Sequence, residues 1–119
     1  MLTVYGLGHC TTTQKAIKYL ANKGIQIKEQ IDIRDNPPSK ETIRLAIEQV
    51  GGNVRKIMNT SGNLYREMEL KDKLDTMGVD EVITLLSENG MLIKRPLITD
   101  GATVSVSARD STLDKSWIA

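Results

Sequence analysis

VYGLGHCTTTQKAIKYL, residues 4–20, is the stretch on which the reading of this chain turns. The β-branched and aromatic run LTVYG, residues 2–6, ends in glycine and predicts a short strand. Thr13, Ala16, Ile17, Leu20 and Ala21 recur at i, i+3, i+4 spacing and predict an amphipathic helix that stops at Gly24. Between the two sits Cys10, the only cysteine of the chain. At a helix N-terminus several backbone N–H groups lack intrahelical partners, and the helix dipole adds partial positive charge. Both effects stabilise a thiolate, and the same N–H groups can hold an oxyanion. Thr11, Thr12 and Thr13 add hydroxyl donors, and His9 adds a positive charge when protonated. The opposing reading treats Cys10 as a small buried hydrophobe, the threonines as helix caps and His9 as a surface-loop residue. Both readings stand on these residues alone.

Outward from this stretch, Ile25, Ile27, Ile31 and Ile33 alternate within IQIKEQIDI and predict a second strand. Strand, helix and strand form a βαβ unit, which calls for parallel strands and a right-handed crossover. Ser39 is the expected N-cap of a second helix with Ile43, Ala46, Ile47 and Val50 as its apolar stripe, closed by Gly51 and Gly52. Leu64, Met68, Leu70, Leu74 and Met77 predict more helix up to Gly78. Asp80 is then the expected cap of a helix with Val82, Ile83, Leu85 and Leu86 on its core face. A bend at Pro96, the run LIT, Asp100-Gly101 and the run TVSV together predict a hairpin. Asp110 is the expected cap of a last helix carrying Leu113 and Trp117.

The 119 residues fit one domain, expected to span 1–119, and 39% hydrophobic residues suffice for a single core. Phenylalanine is absent, so aliphatic side chains and methionine must fill that core. Sixteen basic and fifteen acidic residues nearly cancel, which is unlike the basic footprint of a direct nucleic-acid binder. A protein partner or a small ligand is the better expectation. One cysteine excludes an internal disulfide, and one cysteine with one histidine is too few for a structural zinc site. No apolar run is long enough to span a membrane, and the first residues lack a signal-peptide pattern, so the expected location is cytoplasmic.

Four pieces of the sequence carry a resemblance. VYGLGHCTTTQKAIKYL, NPPSKETIRLAIEQVG, IMNTSGNLYREMEL and MLIKRPLITDG are similar, in this order, to segments of the ArsC-type (glutaredoxin-coupled) arsenate reductases and the Spx/MgsR regulators. The resemblance implies a thioredoxin-like α/β fold of the glutaredoxin type. Its mixed sheet has about four strands, with a helical insertion at about residues 38–90. It also implies that Pro96 follows a cis peptide bond and faces Cys10, which brings Arg95 to the thiolate as a fixed cation.

The sequence departs from that family at defined points. Arsenate reductases of this type surround the anion with three arginines, of which Arg95 matches one. Asn59, Thr60 and Ser61 stand where a second is expected. TVSVSARD offers only Arg109 near the third, with Arg55 and Arg66 as other cations of the region. Arsenate is therefore not the expected substrate. Thr13 replaces the second cysteine of the Cys-x-x-Cys switch that Spx-type regulators carry. The resemblance thus implies a monothiol oxidoreductase. Cys10 and Arg95 would be catalytic, with His9, Thr11, Thr12, Thr13 and Pro96 around the bound anion or thiol, and no metal. With no cofactor bound, glutathione, glutaredoxin or another external thiol must resolve the adduct. The alternative is a regulator that binds the RNA polymerase α subunit without catalysis, through a surface including Gly51, Gly52 and Ser61.

Overall fold

A computed structural model describes residues 1–118. Strand β1 (Leu2–Gly6) leads into helix α1 (Thr11–Asn22), and β2 (Ile27–Asp32) returns parallel to β1. Helix α2 (Lys40–Gln49) follows, then the short helices α3 (Asn63–Glu67) and α4 (Leu70–Lys73), then α5 (Val79–Glu88). The chain closes with β3 (Leu97–Thr99), β4 (Val104–Val106) and α6 (Asp110–Trp117). The sheet order is β2-β1-β3-β4, with β3 antiparallel to both neighbours. This is the four-stranded mixed sheet of the thioredoxin-like fold, with α2 to α5 inserted between β2 and β3.

The sheet is covered on both faces, so its inner strand β3, LIT, is buried at every position, Thr99 included. On one face Leu2, Val4, Ile98 and Leu113 pack with Ala16 and Leu20 of α1. On the other, Leu97 and Val104 pack with Ile43 and Ile47 of α2 and Val82, Ile83 and Leu86 of α5. Ser39 caps α2 as expected, its Oγ accepting from Thr42 N–H at 3.2 Å. Gly51 and Gly52 follow α2 with φ of 68° and 86°, a left-handed conformation that terminates the helix at no side-chain cost.

Three local expectations are corrected. The apolar run 64–77 is not one helix, because Glu69 takes a left-handed φ of 54° and splits it into α3 and α4. Helix α5 begins two residues earlier than expected. Gly78 is its N-cap, and Glu81 reaches back to accept from Gly78 N–H at 3.2 Å, while Asp80 lies inside the first turn. Helix α6 is capped at Arg109 rather than Asp110, with Ser107 Oγ accepting from Arg109 N–H at 3.0 Å.

A close backbone contact also ties the insertion to the sheet. Gly90 is buried, and a Cβ built on it would lie 1.9 Å from the carbonyl oxygen of Ile33, just past β2. Any side chain there would force the two backbones apart. Beyond Gly90, Met58 pairs with Ile93. Asn59 N–H donates to Leu92 O at 2.8 Å, and Lys94 N–H to Ile57 O at 2.9 Å. That short ladder lays the turn at 59–61 beside Lys94 and Arg95.

Candidate functional site

The turn between β1 and α1 positions the sulfur. Cys10 N–H donates to Leu7 O at 3.0 Å, and Cys10 O accepts the first helical bond from Gln14 N–H at 3.0 Å. Gln14 also ties the turn down by donating from Nε2 to Gly8 O at 2.8 Å. Cys10 is therefore the N-cap of α1, in extended conformation, with its thiol half-buried at the positive end of the helix. The thiol makes no capping bond of its own, which leaves the facing donors available to the thiolate. Burial pushes the thiol up, but the N–H and hydroxyl of Thr13, the N–H of Thr12 and the charge of Arg95 outweigh it. Together they hold Cys10 below its ordinary value.

Thr13 is buried, and its Oγ1 also accepts from Leu7 N–H at 3.5 Å. It packs so closely on Gly6 that a Cβ there would meet Oγ1 at 2.6 Å. A glycine in β1 and a threonine in α1 thus fix the helix end against the strand. Thr13 is a floor for the site rather than a wall.

The cleft before the sulfur has a volume of about 250 Å³. Cys10 and Thr12 form one side, Lys94 and Arg95 another, and Asn59, Thr60 and Ser61 the third. The Arg95–Pro96 peptide bond is cis, with Pro96 buried. Arg95 donates from Nη1 to Met91 Sδ at 3.7 Å, while its Nε is buried without a hydrogen-bond partner. The guanidinium lines the cleft with the thiol, and its charge favours an anionic group there.

The site residues expected from sequence divide accordingly. Cys10, Thr12 and Arg95 come together in the cleft, with Thr13 beneath and Pro96 behind. His9 is exposed, and Thr11 faces a separate cavity with Gln14 and Lys18. Neither lines the cleft. Ser61, Gly51 and Gly52, the residues of the possible partner surface, are all exposed; Ser61 also lines the Cys10 cleft, and the two glycines follow the end of α2. Lys94, Asn59 and Thr60 are cleft residues that sequence reasoning did not select. The adjacency of Lys94 to Arg95 was the available signal for the first. The other two depend on the ladder between 57–59 and 92–94, which no local pattern announces.

None of the alternative cations completes the site. Arg55 bonds Asp75 at 3.0 Å and the carbonyl of Lys71 at 3.1 Å. Arg66 bonds Asn63, and Arg109 lies on another groove. Among the described residues, no cluster of three or more His, Cys, Asp or Glu side chains suits a metal ion. Among the same residues no helix is long and apolar enough to cross a membrane.

Comparison with known proteins gives the family of the chain. The chain is 45% identical over 116 residues to the uncharacterized protein YusI of Bacillus subtilis, covering 98% of each. It matches the crystal structure of "a possible arsenate reductase" from Streptococcus mutans at 38% identity and a TM-score of 0.83, over 96% of this chain and 98% of that one. A more distant relative, at 22% identity over 95% of this chain and 80% of its own, is the global transcriptional regulator Spx of Streptococcus mutans. The profile of the ArsC family matches residues 5–115, nearly the whole chain and every residue that lines the cleft, and the protein belongs to that family.

Proposed function

We propose that the protein is a monothiol oxidoreductase in which Cys10 is the nucleophile and an external thiol such as glutathione completes the cycle. The observation that carries this reading is a single half-buried thiol, held toward its thiolate at a helix N-terminus, opening on a cleft with Arg95 opposite. In the proposed step the thiolate attacks one sulfur of a disulfide R–S–S–G. A Cys10–glutathione disulfide forms, and R–S⁻ departs and takes a proton from water. A second glutathione thiolate then attacks the glutathionyl sulfur, giving oxidised glutathione and restoring the Cys10 thiolate. Thr12 and Thr13 stabilise the attacking sulfur, and Arg95 and Lys94 receive a carboxylate of the bound thiol. Two cations and a hydroxyl-and-amide wall suit a singly charged group better than a multiply charged oxyanion. Arsenate is accordingly not the proposed substrate.

The second reading is a regulator-like module that binds the RNA polymerase α subunit without turnover. It is favoured by the uncharged wall of Asn59, Thr60 and Ser61. Mass detection of the protein treated with oxidised glutathione, followed by turnover of a glutathione mixed disulfide, separates the two. The oxidoreductase gives one adduct on Cys10, released by glutathione with measurable turnover and abolished by Cys10→Ser. A thiol that forms no adduct, or one that turns over no faster than free glutathione, refutes it. Binding to the isolated α subunit would then support the module.

A further inference from the structure

A second, larger groove adjoins the Cys10 cleft. It holds about 890 Å³ along β4, with Gln49 and Val50 of α2 on one bank and Thr112 and Ser116 of α6 on the other. Its floor, at Val104 and Ser105, is buried, so the groove presents side chains and not backbone. Those side chains are one-sided in charge. Lys56, Lys94, Arg109 and Lys115 line the groove, all four exposed, and no carboxylate does among the described residues. None of the four is in a salt bridge among the same residues. Ser111, Thr112 and Ser116 add hydroxyls.

In a chain with fifteen acidic residues against sixteen basic ones, this segregation is local. Helix α6 shows how it arises. Its Asp114 accepts from Tyr19 on α1 at 2.6 Å and its Asp110 lines the cavity beside α1, so both carboxylates lie away from the groove. Cations set beside hydroxyls, with no carboxylate to neutralise them, suit phosphate oxygens. Lys94 lines both this groove and the Cys10 cleft, so the two are neighbours across one side chain. The cleft holds about 250 Å³ against about 890 Å³ for the groove. A disulfide with one small and one large half divides between them, its sulfurs and small half at Cys10 and its large half beyond Lys94.

We infer that the disulfide opened by Cys10 joins glutathione to a thiol with a phosphate-bearing arm, and that this arm lies in the groove between α2 and α6. The inference rests on the monothiol reading and names the class of R within it, thiols that end in a nucleoside phosphate as coenzyme A does. The Cys10 thiolate attacks the glutathionyl sulfur and the S–S bond breaks. The thiolate of the long-armed thiol departs and takes a proton from water. A second glutathione thiolate then reduces the Cys10 adduct, leaving as oxidised glutathione, so one disulfide is consumed and one is formed. Lys94 meets the arm where it leaves the cleft, and Lys56, Arg109 and Lys115 receive its phosphates.

The test uses the full chain and two probes, the mixed disulfide of glutathione with coenzyme A and that with pantetheine. Both leave the same thiolate and differ in the phosphates, so their intrinsic exchange chemistry is alike. The rate of Cys10 glutathionylation is followed by mass. The expected result is a rate at least about tenfold higher for the coenzyme A disulfide. That ratio should fall toward one at high salt and in an Arg109→Glu, Lys115→Glu variant. Adenosine bisphosphate, the charged end without the thiol, should slow the coenzyme A reaction and leave the pantetheine reaction as it was. The first comparison needs no variant. Equal rates for the two disulfides overturn the inference and leave the monothiol reading standing. So does a ratio that the variant retains, or a bisphosphate that slows both reactions alike. If neither disulfide reacts at Cys10, the monothiol reading falls and this inference falls with it.

Discussion

Thr13→Val keeps the shape of the buried side chain against Gly6 and removes the hydroxyl that helps hold the Cys10 thiol below its ordinary value, along with the acceptor of Leu7 N–H. A hydrogen bond to an ion is worth more than a neutral one, but this sulfur is half open to water, so about 1 kcal/mol is the appropriate size. That lowers the acid dissociation constant of the thiol about fivefold. The more basic thiolate is also more nucleophilic. With a Brønsted slope near 0.45, its intrinsic reactivity rises about twofold. The two effects oppose each other at low pH and separate at high pH. In the reaction with a dipyridyl disulfide, the variant should be about 2.5-fold slower on the acid limb and about twofold faster on the alkaline plateau. The two rate–pH profiles must therefore cross. Profiles that superimpose would show that the hydroxyl does not act on the thiolate. A uniform slowing at every pH would show that the substitution alters access to the sulfur. Circular dichroism on both proteins checks that the fold is unchanged.

Gly90→Ala must move two backbones more than about 1 Å apart, at a cost near 3 kcal/mol, and should lower the urea midpoint by about 2 M. An unchanged midpoint would contradict the Ile33 contact. Thr13→Cys should form an internal, reducible disulfide with Cys10 in oxidant, seen as the loss of two hydrogens by mass, since Cys10 is the N-cap of α1 and Thr13 lies in its first turn. Two persistent free thiols would argue against that proximity. Asp100 accepts from Thr103 N–H at 2.8 Å and Ala102 N–H at 2.9 Å, and these bonds hold its carboxyl below the usual 3.8. The stabilisation it contributes is full above pH 3.8 and is lost as pH falls through the lower folded value. Wild type should therefore exceed Asp100→Ala in urea stability near neutrality, and the gap should close in acid; a gap that widens in acid would reverse the sign of this argument.

Much of the fold was legible because its signals are local. The alternating isoleucines of β2, the Ser39 cap and the Asp100-Gly101 hairpin each follow from a few neighbouring residues. What failed was also local in appearance but decided elsewhere. The run 64–77 has helical spacing, yet the backbone at Glu69 turns left-handed and divides it. Asp80 has the chemistry of a cap, but Glu81 reaching back to Gly78 starts the helix sooner. At the site, Cys10 and its donors Thr12 and Thr13 were visible as one strand–helix junction. Arg95 joined them only through the family resemblance. The wall of Asn59, Thr60 and Ser61 was noticed for the arginine it lacks and not for its place beside the sulfur. That place depends on pairing across more than thirty residues of sequence, where periodicity says nothing.

The ladder joining Ile57–Asn59 to Leu92–Lys94 has a mechanical meaning. It is the neck of a purse: everything from Thr60 to Met91 hangs inside a loop drawn shut by two hydrogen bonds, and the drawstring passes along the mouth of the cleft. The packing of α5 against α2 keeps the string taut from below. The turn that walls the cleft before Cys10 thus rests on the core of the insertion, at buried side chains such as Ile83 that lie outside the cleft. A substitution that slackens that core should therefore be felt at the mouth of the purse, away from the thiol and its helix.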